Sequence, residues 1–171
     1  SDIPPSKPVV VLVRGFHGLP VLDPPIYDEC RDQAYHVQSS DLPNNFPDDA
    51  KNDFGGFPQW LIEDGWDVWI AHIETGRNRT PSATENAQCL KKQIANIRAV
   101  TGVSKVVLIA HSMGGLVARA YVETPYLYED SKDVSRLITL GSPHVGTSLG
   151  KPLCLAHPST QYAACEFSMF I

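Results

Sequence analysis

Val106-Val107-Leu108-Ile109-Ala110-His111-Ser112-Met113-Gly114-Gly115-Leu116-Val117 decides the fold. Its opening run, Val106 to Ala110, is short, aliphatic and rich in β-branching, which reads as a strand buried on both faces. Ser112 to Val122 reads as a helix, closed by Pro125. The strand must therefore turn into the helix at Ser112. Ala110 and Gly114, two residues before and two after, are small enough to let strand and helix approach. A serine held in such a sharp turn has its hydroxyl pushed outward, the arrangement of a nucleophile elbow, here in an AxSxG form of the usual GxSxG. The helix N-terminus also brings backbone N–H groups close to any oxyanion forming beside Ser112. A serine that merely caps the helix is the plainer alternative. The preceding strand and a matching turn upstream favour the elbow. His111 is expected to point away from Ser112 and to pack behind the turn.

Working outward, other segments fall into the same alternation. Pro8 to Val13 is a second continuous apolar strand, followed by the turn Arg14-Gly15-Phe16-His17-Gly18. Phe57 to Asp64 reads as a short helix ending at Gly65, and Trp66 to Ala71 as the next strand. Ser82-Ala83-Thr84-Glu85 has capping-box form. Behind it Ala83, Ala87, Leu90, Ile94 and Ile97 mark one apolar helix face, with a stop near Gly102. Val134 to Leu140 is a further strand, ending at Gly141-Ser142-Pro143. Strands alternating with helices, and apolar throughout, imply an α/β fold: a mostly parallel sheet with helices on both faces. Chemistry in such sheets gathers at the carboxyl ends of the strands. The turns after Val13, Ala110 and Leu140 are the places to look.

Residues 19–55 differ in kind, being rich in Pro, Asp, Asn and Ser with little periodicity. They read as a long loop or insertion. Asp48, Asp49, Asn52 and Asp53 cluster there. Their spacing fits no EF-hand, and a solvated acidic loop is the expectation. Residues 1–147 are read as the core and 148–171 as the start of a lid.

The 171 residues make one domain, with 43% hydrophobic residues and a net charge of −5, enough to bury a core unaided. Mild acidity argues against nucleic acid as a partner. No apolar run approaches the ~20 residues of a membrane span. Ser1-Asp2-Ile3-Pro4-Pro5 has no signal-peptide pattern and fits a mature N-terminus left after cleavage, or an arbitrary chain boundary. Cys30, Cys89, Cys154 and Cys165 form no CxxC motif. A secreted, oxidised protein is expected, with Cys154–Cys165 the favoured pair and Cys30 and Cys89 remaining. Four free buried thiols are the alternative.

Three segments together resemble bacterial lipases of the α/β-hydrolase superfamily: Val11 to Gly18, Ile109 to Gly115, and Leu137-Ile138-Thr139-Leu140-Gly141-Ser142-Pro143-His144-Val145-Gly146-Thr147. The last is similar to the stretch that precedes the lid in many lipases. The resemblance implies a carboxylic-ester hydrolase working through an acyl-enzyme on Ser112. It also implies an oxyanion hole made by the backbone N–H groups of Phe16 and Met113. Arg14 stands where the family usually has His, but a backbone donor survives that change. His17, one residue past the donor, is a candidate lining for the acyl pocket, with a surface histidine the plainer reading. No cofactor is expected. A structural calcium, frequent in the family, has no ligands that this sequence can place.

A serine hydrolase needs a base and an orienting carboxylate. In this superfamily they follow in the order Ser, Asp or Glu, His. The stretch after Pro143 is too short for two more strands and two catalytic loops. The expectation is a fragment truncated after the strand preceding the lid, with Asp and His supplied by a C-terminal segment or a second chain. Within this chain His157 would be the less poor base and His144 a structural residue; the downstream carboxylates are Glu123, Glu129, Asp130, Asp133 and Glu166. Residues 148–171 resemble the beginning of a lid suited to a lipid–water interface. The expected substrates are long-chain lipid esters, then small esters. The same fold also serves acyltransferases, thioesterases and peptidases, and can persist as an inactive ligand-binding pseudo-hydrolase.

Overall fold

The computed structural model describes residues 7–15, 33–39, 53–73, 82–128 and 132–146. The elements run β1 (Val9–Val13), β2 (Tyr35–His36), α1 (Phe57–Glu63), β3 (Asp67–Ala71), α2 (Ala83–Thr101), β4 (Val106–His111), α3 (Met113–Glu123), α4 (Pro125–Tyr128) and β5 (Val134–Leu140). They build a 5-stranded sheet in the order β2-β3-β1-β4-β5. β3, β1, β4 and β5 are parallel, and β2 pairs antiparallel with β3. The parallel strands are joined through helices, as parallel pairing requires.

Local chemistry sets the boundaries. The Ser82 N–H donates to Glu85 Oε2 at 2.9 Å and the Glu85 N–H to Ser82 Oγ at 3.1 Å. This reciprocal capping box starts α2 where the sequence places it. Gly102, at φ 73°, closes the same helix in the left-handed conformation, which a side chain would disfavour. α1 ends in a Schellman pair: the Gly65 N–H donates to the Ile62 carbonyl and the Trp66 N–H to that of Leu61.

Alternate strand residues face opposite layers. Val9, Val11, Val13, Ala71, Leu108 and Ala110 meet Ala87, Leu90, Ile94 and Ile97 of α2 and Val117, Ala118 and Tyr121 of α3. On the other face Val10, Leu12, Val68, Ile70 and Ile109 pack under Phe57, Leu61 and Ile62 of α1. Helices thus cover both faces. β1 is buried along its whole length, as its unbroken apolar run demands. β5 is not: Ile138 and Leu140 are exposed, because the layer containing α1 does not extend that far among the described residues.

Two elements depart from the sequence reading. β2 lies inside the stretch read as irregular, and two residues are too few to show a period. A short helix, α4, also starts at Pro125 rather than the chain simply leaving α3 there; proline suits a first helical turn, where no N–H partner is lost. Cys89 is buried on α2 and disulfide-bonded, which overturns the reading of four free thiols. Cys30, Cys154 and Cys165 lie outside the described residues, as does the expected lid.

Candidate functional site

Registers bring the expected turns together. Val13 stands beside Ala110, and His111 beside Leu140. The carboxyl ends of β1, β4 and β5 are therefore neighbours, and the Ser112 N–H extends the β4–β5 ladder by donating to the Leu140 carbonyl at 2.9 Å.

Ser112 has φ 51° and ψ −124° and makes no side-chain cap hydrogen bond to the helix it precedes. A non-glycine residue in this region costs ~1–3 kcal/mol and persists only where its surroundings enforce it. The surroundings are specific. A Cβ on Gly114 would lie 2.3 Å from the Arg14 carbonyl oxygen and 2.4 Å from that of Val13. Only glycine lets the first turn of α3 rest on the end of β1. A Cβ on Gly115 would lie 1.9 Å from Ser142 Oγ, so the turn after β5 presses on the same helix start. From the other side, Gly15 abuts Ser112 itself: its added Cβ would stand 2.9 Å from Ser112 Cβ. The helix-capping reading of Ser112 does not fit this geometry, whereas an outward-facing serine in a compressed turn does.

Met113 is buried at the first position of α3. Phe16 and His17 lie outside the described residues, as do His157, Glu129, Asp130 and Glu166. Arg14 does not reach the surface: it is 2% exposed, and its backbone carbonyl seats Gly114. His144 donates to or accepts from Thr139 Oγ1 at 3.1 Å, a contact within its own turn. Asp133 is unsuited to orient a base at Ser112. It precedes β5, at the opposite end of the sheet, and is 1% exposed. There it accepts from the Tyr121 hydroxyl at 2.7 Å and faces Arg98 at 3.3 Å. Glu123 is paired with Arg119 on the surface.

Sequence reading missed Asp53. The expectation of a solvated acidic loop fails for this residue, whose side chain is 7% exposed. One carboxylate oxygen accepts from the Gly15 N–H at 2.6 Å, and the other lies 3.1 Å from His111 Nδ1. The His111 ring meets Phe54 edge-on, at 6.4 Å between centroids. No pattern around Asp53 signals these partners, which are distant in sequence. Asp48, Asp49 and Asn52 lie outside the described residues. Among the described residues no three His, Cys, Asp or Glu side chains gather into a metal-binding group. An open groove between Lys7, Trp66, Gly102 and Lys105 lies at the amino end of the sheet, away from Ser112.

Comparison with solved structures gives the architecture its place. A Bacillus licheniformis lipase in its mature form superposes with a TM-score of 0.61 at 19% identity, over 98% of this chain and 59% of that one. The chain has an α/β-hydrolase fold like that of lipases. Aspergillus fumigatus lipase B shares the fold at a TM-score of 0.52 and 19% identity, over 84% of this chain and 26% of its own. In sequence, a triacylglycerol lipase of Vibrio cholerae is 33% identical over 97 residues, which are 56% of this chain and 28% of the relative. The family model of a PGAP1-like alpha/beta domain matches residues 80–153, from just before α2 to beyond β5. This chain spans little more than a quarter of the Vibrio relative's length and just under three fifths of the Bacillus lipase.

Proposed function

We propose that this chain carries the nucleophile of a carboxylic-ester hydrolase, a lipase or esterase that works through an acyl-enzyme on Ser112. One observation carries the reading: a serine at φ 51° wedged among Gly15, Gly114 and the Arg14 backbone. Nothing in the packing of an ordinary helix start requires a hydroxyl there, and the strain is useful only if the hydroxyl must project. As the base takes its proton, the serine oxygen attacks the ester carbonyl, with the oxyanion stabilised by the Met113 N–H and that of Phe16; the ester C–O bond then breaks, the alcohol leaves with that proton, and water releases the acid from the acyl-enzyme. Loss of one such donor typically costs ~3 kcal/mol in the barrier. Among the described residues Asp133, Glu123 and His144 are engaged elsewhere, so the base and its carboxylate are assigned to residues outside these, in this chain or in a further segment. Lipid esters are the favoured substrates and small esters the next, in keeping with the triacylglycerol lipase relative. A disulfide at Cys89 supports placement in an oxidising, extracellular setting. The segment 148–171 is assigned to a lid at a lipid–water interface.

The test is labelling of the full-length protein with a fluorophosphonate probe, followed by peptide mapping. The probe reports a serine activated by a nearby base. Label confined to the Ser112 peptide and abolished in Ser112→Ala is the expected result. Label elsewhere, or ester turnover that survives Ser112→Ala, overturns the assignment.

A further inference from the structure

Asp53 lies far along the chain from both its partners, yet its two carboxylate oxygens divide between them. Oδ2 accepts from the Gly15 N–H at 2.6 Å, and Oδ1 lies 3.1 Å from His111 Nδ1. Gly15 immediately precedes Phe16, and His111 immediately precedes Ser112. The carboxylate thus bridges the Gly15 backbone and the His111 side chain, residues adjacent to the two positions on which catalysis is proposed to depend. It is also held tightly. Its side chain is 7% exposed, and the following residue, Phe54, is buried against the His111 ring.

We propose that Asp53 is a positioning residue that fixes the distance between the turn after β1 and the nucleophile turn after β4, and with it the separation of the two oxyanion donors. This rests on the hydrolase reading above. Two backbone donors stabilise an oxyanion only when both point at one oxygen from hydrogen-bond distance. Met113 opens α3 and Gly15 follows β1, both beyond the last β1–β4 pair, Val13 with Ala110, so strand pairing alone does not set the spacing of the two turns. Asp53 adds a polar constraint to the glycine contacts that bring the two turns together. By accepting from the Gly15 N–H, it anchors the end of the turn after β1 beside Ser112. Its other oxygen lies against the His111 ring, which precedes Ser112. A buried carboxylate that accepts a backbone N–H is a short, strong contact. Asp53 touches neither substrate nor proton in this scheme.

Two variants of the full-length protein separate this role from simple packing. Asp53→Asn keeps an acceptor for Gly15, and Asp53→Leu fills the same space without one. With p-nitrophenyl butyrate, the asparagine variant is expected to keep kcat within about tenfold of the parent. The leucine variant is expected to lose roughly 100-fold in kcat with KM within twofold, the scale of a small misplacement of catalytic groups. Inhibition by phenylboronic acid, whose serine adduct places an oxygen in the oxyanion hole, should weaken in step with kcat. A merely structural contact would lower thermal stability without moving kcat and boronate affinity together. Asp53→Ala provides the same readings if the leucine variant does not fold. Equal kcat in the asparagine and leucine variants overturns the proposal, as does a loss confined to KM. A parent protein whose ester turnover survives Ser112→Ala sinks the hydrolase reading instead, so the two failures are distinguishable.

Discussion

The two ends of the parallel sheet are built on opposite plans. At the carboxyl end three turns interlock: Gly15 against Ser112, Gly114 against the Arg14 and Val13 carbonyls, and Gly115 against Ser142. Each contact leaves no room for one extra carbon. At the amino end the turns are independent. Gly65 and Gly102 end their helices with nothing within 4 Å of an added Cβ, and Asp133, Tyr121 and Arg98 form a buried polar cluster of the ordinary stabilising kind. One end is crowded by backbone around a strained serine, while the other is closed by caps and hydrogen bonds. The contrast teaches where this molecule holds strain and where it gains stability.

Substitutions should respect that division. The largest effect belongs to Ser112→Ala, expected to lower ester turnover by ~10⁴-fold or more while leaving the thermal midpoint nearly unchanged. Ser112→Gly should abolish turnover equally but raise stability by about 1 kcal/mol in urea unfolding, since glycine accepts a positive φ. A glycine variant no more stable than the alanine one would show that the serine is not strained. Next comes Gly114→Val, whose added carbons meet backbone that cannot step aside. A loss of roughly 2–4 kcal/mol together with collapse of activity is expected, and a variant that melts and turns over like the parent would refute the interlock.

Amino-end changes should move stability alone. Tyr121→Phe removes one donor from the buried Asp133 carboxylate and is expected to cost ~1–3 kcal/mol. Gly102→Ala forces a side chain into φ 73° and should cost about 1 kcal/mol. Steady-state turnover with either variant is expected to match the parent below its melting temperature. A selective fall in kcat from either one would mean that the two ends communicate and would dissolve the contrast.

Much of what is local could be read from the sequence, at either end of the sheet. Ser82 and Glu85 cap a helix three residues apart, Gly102 ends it, and the spacing of Ala87, Leu90, Ile94 and Ile97 names the buried face. The strand-to-helix turn at Ser112 is equally legible, since Ala110, Ser112 and Gly114 lie within a few residues of one another. The interlock was not. That Gly114 rests on Arg14, or that Gly115 meets Ser142, depends on which strands are neighbours, and composition does not encode strand order. Asp53 shows the limit most clearly. Among Asp48, Asp49 and Asn52 it reads as one more solvated acid, and its burial follows from contacts with Gly15 and His111 that no local pattern announces. β2 was missed because Tyr35–His36 is too short to show a period.

Strand pairing also implies an order of assembly. Leu108 finds its partner Leu137 across the short connection that holds α3 and α4, whereas Val10 must reach Val107 across most of the chain that precedes it. Closing the shorter loop sacrifices less chain entropy, so β4, α3 and β5 form the more rapidly nucleated unit and β1 docks later. In folding terms the serine turn is sketched early by its own neighbours, and its tight φ is imposed only when β1 brings Arg14 and Gly15 against it. Amide protection in pulsed hydrogen exchange should therefore appear on Leu108 and Ile138 before Val11. The last part of this sheet to become native is then the crowded corner around Ser112.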